Sequence, residues 1–193
     1  MRRISISLLA SIALLGAALA HAQDRALFAG VFDPPRAAPA FSLPGSDGMP
    51  LTLERFRGKL VVLAFGFTSC PDVCPTTLAT LAGARRALGG QAADVQVVYV
   101  TVDPARDDAA RMREYLAAFD PAFLGATGTA QQLAKVREEY GIAAERVARG
   151  ESYAYSHSSF VYLIDRAGKL RALMPYGHAA NDYAHDLRIL LES

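Results

Sequence analysis

The chain has no tryptophan, only two cysteines and almost no net charge, and the last two of these shortages each exclude a class of protein. Two cysteines in 193 residues can form neither a disulfide-dense scaffold nor a closed four-cysteine zinc site. A formal net charge of +1 gives no electrostatic footprint for nucleic acid, so we expect no nucleic-acid partner. The 52% hydrophobic and 20% charged residues instead indicate a folded globular domain rather than a disordered chain.

The first 22 residues have the pattern of a secretory signal peptide. Arg2 and Arg3 precede an apolar run over residues 4–20, and Ala20-His21-Ala22 is a small-residue cleavage site. We therefore expect residues 1–22 to be removed, which leaves Gln23 first and predicts a periplasmic protein in an oxidising compartment. An uncleaved leader that anchors the protein to the inner membrane is the alternative, since the run is near the lower length limit for a membrane span.

Residues 23–40 are rich in Pro and Ala without apolar periodicity, which predicts a flexible tether. The pattern after this segment predicts one domain over residues 41–193, in which strands alternate with helices. This order is typical of an α/β sheet with parallel crossovers, and a late hairpin makes the sheet mixed. The expected elements are an N-terminal hairpin (41–43 and 51–53), strands 60–67 and 95–102, helices 75–88, 107–119, 129–140 and 182–191, and a hairpin of strands 160–164 and 170–174.

Cys70 and Cys74 lie between the end of a buried strand and the start of a helix. Free backbone N–H groups and the helix dipole favour a thiolate at such a position. We expect a loop here, with Cys74 at or near the helix cap, because Pro75 disfavours a helical conformation at the preceding residue. Three residues separate the cysteines, so both sulfurs can converge on a metal ion or form a disulfide. A purely structural disulfide would close too short a loop to add much stability.

A metal at the two cysteines would need a third ligand. His21 leaves with the leader, so His157, His178 and His185 remain as candidates. His157 precedes a predicted strand in a loop that can approach the cysteines. His178 and His185 are more typical of solvent-exposed positions. Two thiolates and one imidazole suit copper, although zinc can use the same ligands with a water as the fourth.

The sequence closely resembles the Sco/SenC family of copper-binding, thioredoxin-like proteins. Four motifs occur in the family's order across about residues 41–192. They are residues 67–75 (FTSCPDVCP), 100–107 (VTVDPARD), 124–128 (LGATG), and the His157 segment with residues 161–165 (VYLID).

The resemblance implies a thioredoxin-like fold and a copper site. It implies Cu(I) or Cu(II) held by Cys70, Cys74 and His157, with the same cysteines able to form a redox disulfide. Asp72 and Asp103 are implied as neighbours of the ligands rather than ligands themselves. The implied role is delivery of copper to the subunit that carries the binuclear copper site of cytochrome c oxidase. Another periplasmic copper chaperone is the candidate donor, which the sequence itself does not identify.

Two enzyme classes compete with the metallochaperone reading. The fold and cysteine pair allow a thiol–disulfide oxidoreductase that reduces cysteines of the copper-site subunit or of other exported proteins. Thioredoxin-like reductases, however, resemble one another in a cis-proline before the late strand, and Ser156-His157-Ser158-Ser159 contains no Pro. Residues 73–76 (VCPT) are similar to the peroxidatic segment of peroxiredoxins, but the Thr and Pro expected upstream are replaced by Pro71 and Phe67.

One departure from the family concerns membrane anchoring. Many family members keep an uncleaved N-terminal helix, whereas this leader has a good cleavage site.

The polar stretch over residues 147–152 predicts a surface loop and gives no indication of a partner.

Overall fold

The structure, a computed structural model, describes residues 26–193. The predicted signal peptide over residues 1–22 lies outside the described residues. Within residues 26–193, no helix is both long and apolar enough to cross a membrane.

A six-stranded mixed sheet forms the centre of the fold, with strands in the order β1-β10-β9-β4-β5-β6. Two separate hairpins, β2–β3 and β7–β8, complete the strands of the described chain. The strands are β1 (Gly30–Ala37), β2 (Ser42–Pro44), β3 (Pro50–Thr52), β4 (Leu60–Gly66), β5 (Val95–Thr101), β6 (Leu124–Ala126), β7 (Ala144–Arg149), β8 (Ser152–His157), β9 (Phe160–Ile164) and β10 (Lys169–Pro175). The α-helices are α1 (Val73–Leu88), α2 (Ala109–Ala117), α3 (Ala130–Tyr140) and α4 (Ala180–Leu191).

The two central strands account for the continuous apolar runs in the sequence. Every residue of β4 is buried, and β5 is buried except at Gln96. These strands pair in parallel, while β9 pairs with β4 in the antiparallel direction. The mixed α/β sheet and the N-terminal hairpin expected from the sequence are therefore confirmed. Because β4 and β5 run in parallel, their carboxyl ends meet at one edge, where the cysteine loop begins.

The helices flank this sheet. Helix α1 packs against α4, which also contacts β4, and α2 packs on β6. Local signals set the helix ends: Thr129 caps α3 with a capping box completed by Gln132, and Gly141 ends it with φ of 67°. The expected helix 75–88 begins two residues earlier, at Val73, so that Pro75 lies within the first turn, where a missing N–H costs nothing.

The prediction of a flexible tether over residues 23–40 is wrong for its second half. Residues 30–37 form the edge strand β1, which pairs antiparallel with β10 across an irregular register. The prolines that suggested a tether fall in this interrupted register, where an edge strand tolerates them. The buried Asp186 carboxylate also accepts hydrogen bonds from the N–H groups of Phe28 and Ala29, both at 2.9 Å. The folded domain therefore begins before residue 41.

The prediction of a surface loop over residues 147–152 is also wrong. Strands β7 and β8 form a hairpin with full register from Ala144 opposite His157 to Arg149 opposite Ser152. All residues of β7 after Ala144 are exposed, so its polar sequence lacks the alternating pattern of a half-buried strand. The hairpin ends at His157, which gives this segment a direct structural role at the site.

Candidate metal centre

Cys70 and Cys74 flank the start of α1. The helix begins at Val73, with Asp72 as its N-cap residue, so Cys74 lies in the first turn rather than in the preceding loop. The Cys74 N–H lies 3.4 Å from the Cys70 sulfur, in hydrogen-bond geometry. Cys70 is half-buried and Cys74 is buried, and both are free thiols in the structure. The two sulfurs thus share one side of the helix N-terminus.

The two thiols have opposite protonation preferences. A hydrogen bond from the Cys74 thiol is the main cause that lowers the pKa of Cys70 to about 5; backbone N–H groups of Asp72 and Cys74 and the nearby His157 act in the same direction. The same hydrogen bond and then burial raise the pKa of Cys74 well above its usual value. At neutral pH the pair is therefore a Cys70 thiolate that accepts a hydrogen bond from a Cys74 thiol.

His157 reaches this pair from the end of β8. Its Nε2 atom lies 3.5 Å from the Cys74 sulfur. Its Nδ1 atom lies 2.9 Å from the carbonyl oxygen of Ser158, which favours a proton on Nδ1 and leaves Nε2 as the atom with a free lone pair. The ring also makes an edge-on contact with Phe67, with centroids 6.0 Å apart. These contacts direct the Nε2 atom toward the Cys74 sulfur.

The structure thus brings the three residues of the expected ligand set to one place through pairwise contacts. Cys70 contacts Cys74, and Cys74 contacts His157. Among residues 26–193, however, no three His, Cys, Asp or Glu side chains already have the spacing of a metal-ligand cluster. Simultaneous coordination by all three would therefore need the loop and the hairpin to converge.

Asp103 holds the hairpin that carries His157. The carboxylate is buried and accepts a hydrogen bond of 3.0 Å from the Tyr153 hydroxyl of β8. It also pairs with Arg106, whose guanidinium stacks 3.9 Å from the Tyr153 ring centroid and donates to the Tyr153 carbonyl at 3.2 Å. Asp103 therefore connects to His157 through the hairpin.

Asp72 takes part through its main chain. Its side chain is exposed and makes no capping hydrogen bond. Its backbone N–H contributes to the low pKa of Cys70, after the larger effect of Cys74. The structure places both aspartates near the cysteine loop by these indirect contacts, and their functional role stays a prediction.

Asp107 is a structural determinant of the site that sequence reasoning did not single out. Its buried carboxylate accepts from the Thr68 N–H at 3.0 Å and from the Thr68 hydroxyl at 2.6 Å. It also accepts from the Thr101 hydroxyl at the end of β5, at 2.6 Å. These bonds fix the start of the cysteine loop to the neighbouring strand. The aspartate was visible in the VTVDPARD motif, but its partners could be found only from the fold.

The other two histidines lie elsewhere. His178 pairs with Asp182 at 3.3 Å, and His185 contacts Asp186 at 3.0 Å and the ring of Phe28, with centroids 4.8 Å apart. Both are partly buried rather than solvent-exposed. The expectation of exposed histidines is therefore wrong: Phe28 of the N-terminal segment covers the ring of His185, and His178 packs against Asp182.

Comparison with known proteins decides the family. The SCO1/SenC family model matches residues 32–192. This chain belongs to the SCO1/SenC family. The match begins within β1, in agreement with a domain that starts before residue 41. The family resemblance drawn from the four motifs is thereby confirmed.

A SCO2-like protein of Rickettsia conorii is 38% identical over 132 residues, which cover 67% of this chain and 64% of that protein. The match thus spans just under two thirds of that relative's length.

Two solved Sco structures share the fold. The copper-bound ScoI of Bradyrhizobium japonicum is 34% identical with a TM-score of 0.74, covering 80% of this chain and 99% of that one. The apo Sco1 protein of Thermus thermophilus is 33% identical with a TM-score of 0.78, covering 86% and 98%. The chain therefore has the thioredoxin-like fold, as the resemblance implied.

Proposed function

We propose that this protein is a copper metallochaperone that holds one copper ion through the sulfurs of Cys70 and Cys74 and the Nε2 atom of His157. The observation that carries the proposal is the 3.5 Å approach of His157 Nε2 to the Cys74 sulfur. Soft thiolates with one imidazole form a donor set that suits copper. The copper named for the ScoI relative of Bradyrhizobium japonicum supports the same choice of metal.

The protonation of the pair suits reversible binding. With its pKa lowered to about 5, Cys70 offers a thiolate at neutral pH without a prior proton loss. Cys74 must release its proton when its sulfur binds the metal, so binding would be coupled to proton release. Copper is cargo here and leaves by ligand exchange with the thiols of the acceptor. Oxidation to a Cys70–Cys74 disulfide would remove both thiolates and abolish binding.

The acceptor in this proposal is the subunit that carries the binuclear copper site of cytochrome c oxidase, and the donor is another periplasmic copper chaperone. The family resemblance supports this assignment, and the Arg2–Ala22 leader pattern supports the periplasmic location. On this account the protein performs no turnover chemistry.

A thiol–disulfide oxidoreductase is the second candidate, and the low pKa of Cys70 favours it. A thiolate beside a second thiol is the arrangement that dithiol exchange requires. Such a reductase has no need of an imidazole at position 157, whereas a copper carrier does. His157 therefore separates the two functions.

The test is the His157→Ala variant in cells grown at limiting copper. We expect loss of cytochrome c oxidase activity that added copper partly restores, while the purified variant still forms and reduces the Cys70–Cys74 disulfide. Cys70→Ser is the companion variant, expected to lose both properties. Full oxidase activity with His157→Ala, together with loss in Cys70→Ser, would reject copper transfer in favour of the reductase.

A further inference from the structure

Tyr99 presents a buried hydroxyl that no partner satisfies. The residue lies in the middle of β5 and is 1% exposed. Within the described chain its Oη atom has no hydrogen-bond partner of ordinary geometry. Two other buried tyrosine hydroxyls find an acceptor: Tyr140 donates to the Pro39 carbonyl at 2.8 Å, and Tyr162 donates to the Tyr140 carbonyl. Among the described residues only the Tyr115 hydroxyl shares the unpaired state of Tyr99. An unpaired buried hydroxyl is uncommon and calls for a reason.

The Tyr99 hydroxyl lies beside the Cys74 sulfur, and Gly66 makes the room for both. A Cβ atom placed on Gly66 would lie 2.0 Å from Tyr99 Oη and 2.8 Å from Cys74 Sγ. Both atoms therefore lie within 2.8 Å of the position that a Cβ atom of residue 66 would take, above the end of β4. The missing side chain at Gly66 lets a phenol from one strand reach the first turn of α1.

We propose that Tyr99 is a positioning residue for the copper site, donating its hydroxyl hydrogen to the Cys74 sulfur when that sulfur is a metal-bound thiolate. This inference rests on the proposed function. To the proposed copper site it adds the Tyr99 hydroxyl as the group that adjusts the electron density of the bond between copper and the Cys74 sulfur.

The chemistry of the pair supports this assignment. A thiolate accepts a hydrogen bond more strongly than a thiol does, and bonds to charged acceptors are the stronger ones. Cys74 is only 2% exposed, so little water can reach its sulfur to stabilise a negative charge there. A phenol O–H is thus available at the buried sulfur that must become ionised. Groups that bond to a ligand atom in this way tune metal affinity and redox behaviour.

The test compares Tyr99→Phe with Tyr140→Phe in the full mature chain. Tyr99→Phe removes only the unpartnered hydroxyl and keeps the ring that fills the core. Tyr140→Phe is the matched control, because it removes a buried hydroxyl whose hydrogen bond to Pro39 has no contact with the cysteines.

Three measurements report on the sulfur. We expect Tyr99→Phe to weaken Cu(I) binding about tenfold in competition with a chromogenic chelator. The sulfur-to-copper charge-transfer band of the Cu(II) form should move to lower energy, because the thiolate becomes more electron-rich. In a redox buffer with Cu(I) at a fixed concentration, the equilibrium should shift toward the Cys70–Cys74 disulfide, since the copper-bound reduced form loses a stabilising bond. Tyr140→Phe should lower the unfolding temperature and leave all three readings unchanged.

Unchanged affinity, spectrum and redox equilibrium in Tyr99→Phe would overturn the role of Tyr99, and copper binding by the wild type would leave the proposed function intact. A wild-type protein that binds no Cu(I) or Cu(II) would overturn the proposed function and this inference with it.

Discussion

The Nε2 atom of His157 lies 3.5 Å from the sulfur of Cys74, although 83 positions separate the two residues in the chain. Each side chain is delivered by a different part of the fold. The first turn of α1 presents Cys74, and the end of β8 presents His157. The Ser158 carbonyl fixes the orientation of the imidazole at 2.9 Å. The site therefore depends on how firmly the β7–β8 hairpin is held against the domain.

Removal of the Tyr153 hydroxyl tests that dependence. A two-stranded hairpin is marginally stable by itself, and Tyr153 donates to the buried Asp103 carboxylate at 3.0 Å. We expect Tyr153→Phe to lower stability by about 1–2 kcal/mol and to weaken Cu(II) binding about fivefold, because His157 is held less firmly. Calorimetric unfolding and copper titration measure these effects.

The redox equilibrium of the cysteines supplies the control for this variant. Neither Cys70 nor Cys74 lies on the hairpin, and His157 is the smallest of the causes that lower the pKa of Cys70, so the dithiol–disulfide equilibrium of Tyr153→Phe should change much less than its copper affinity. The exposed Tyr176 offers a control substitution, Tyr176→Phe, expected to change nothing. Wild-type copper affinity in Tyr153→Phe would show that the bond to Asp103 does not position His157.

Gly66 provides a second prediction, on packing beneath the site. In Gly66→Ala the added methyl group would lie 2.0 Å from Tyr99 Oη and 2.8 Å from the Cys74 sulfur, distances that no pair of unbonded atoms tolerates. We expect a loss of about 1–3 kcal/mol in the free energy of unfolding, as for other overpacked cores. Thermal and denaturant unfolding measure this loss.

Gly90→Ala is the matched control for Gly66→Ala. A Cβ at Gly90 meets no atom within 4 Å, and this glycine is not among those with positive φ. Its substitution should be neutral or slightly stabilising. Equal stability of the two variants would contradict the close contact between Gly66, Tyr99 and Cys74.

The main strands and helices were predictable because their burial is regular. Strands β4 and β5 are buried almost throughout, which produces the continuous apolar runs that identified them. Strand β1 was missed because its Asp33-Pro34-Pro35 sequence is typical of a linker, and only pairing with β10 makes it a strand. The β7–β8 hairpin was missed because β7 is exposed beyond its first residue.

The residues of the candidate site likewise fall into those that the sequence predicted and those that it did not. Spacing and chemistry were enough to single out Cys70 and Cys74, whereas His157 became the expected third ligand only through the family resemblance. The residues that support them were not predictable as a group, because their contacts join distant segments. Asp107 bonds to Thr68 across 39 positions and Tyr153 to Asp103 across 50. Such pairings leave no periodic signal in the sequence.

The ionisation of Cys70 leads to a pH prediction. The hydrogen bond from the Cys74 thiol holds the pKa of Cys70 near 5, against an ordinary value of 9.0. Alkylation of Cys70 by iodoacetamide should therefore stay rapid at neutral pH and fall with a midpoint near pH 5. In Cys74→Ala the midpoint should move upward, because the largest cause of the low pKa is removed. Mass spectrometry of the modified peptide measures the rate at each pH.

Protein stability should follow the same ionisation. A folded pKa below the unfolded one means that the unfolded chain binds more protons between about pH 5 and 9. The free energy of unfolding of the reduced protein should therefore rise with pH across this window. The contribution is complete above the unfolded pKa and is lost as the pH falls through 5. An alkylation midpoint near 9 in the wild type would contradict the thiolate assignment.

The most direct test of the account is the stoichiometry and affinity of copper binding to the reduced mature protein, measured by anaerobic Cu(I) titration and Cu(II) spectroscopy. We expect one copper per chain in the wild type, with binding weakened in Cys70→Ser, Cys74→Ser and His157→Ala and unchanged in His185→Ala, whose imidazole packs on Phe28. Wild-type affinity for both Cu(I) and Cu(II) in His157→Ala would contradict the ligand set on which the account depends.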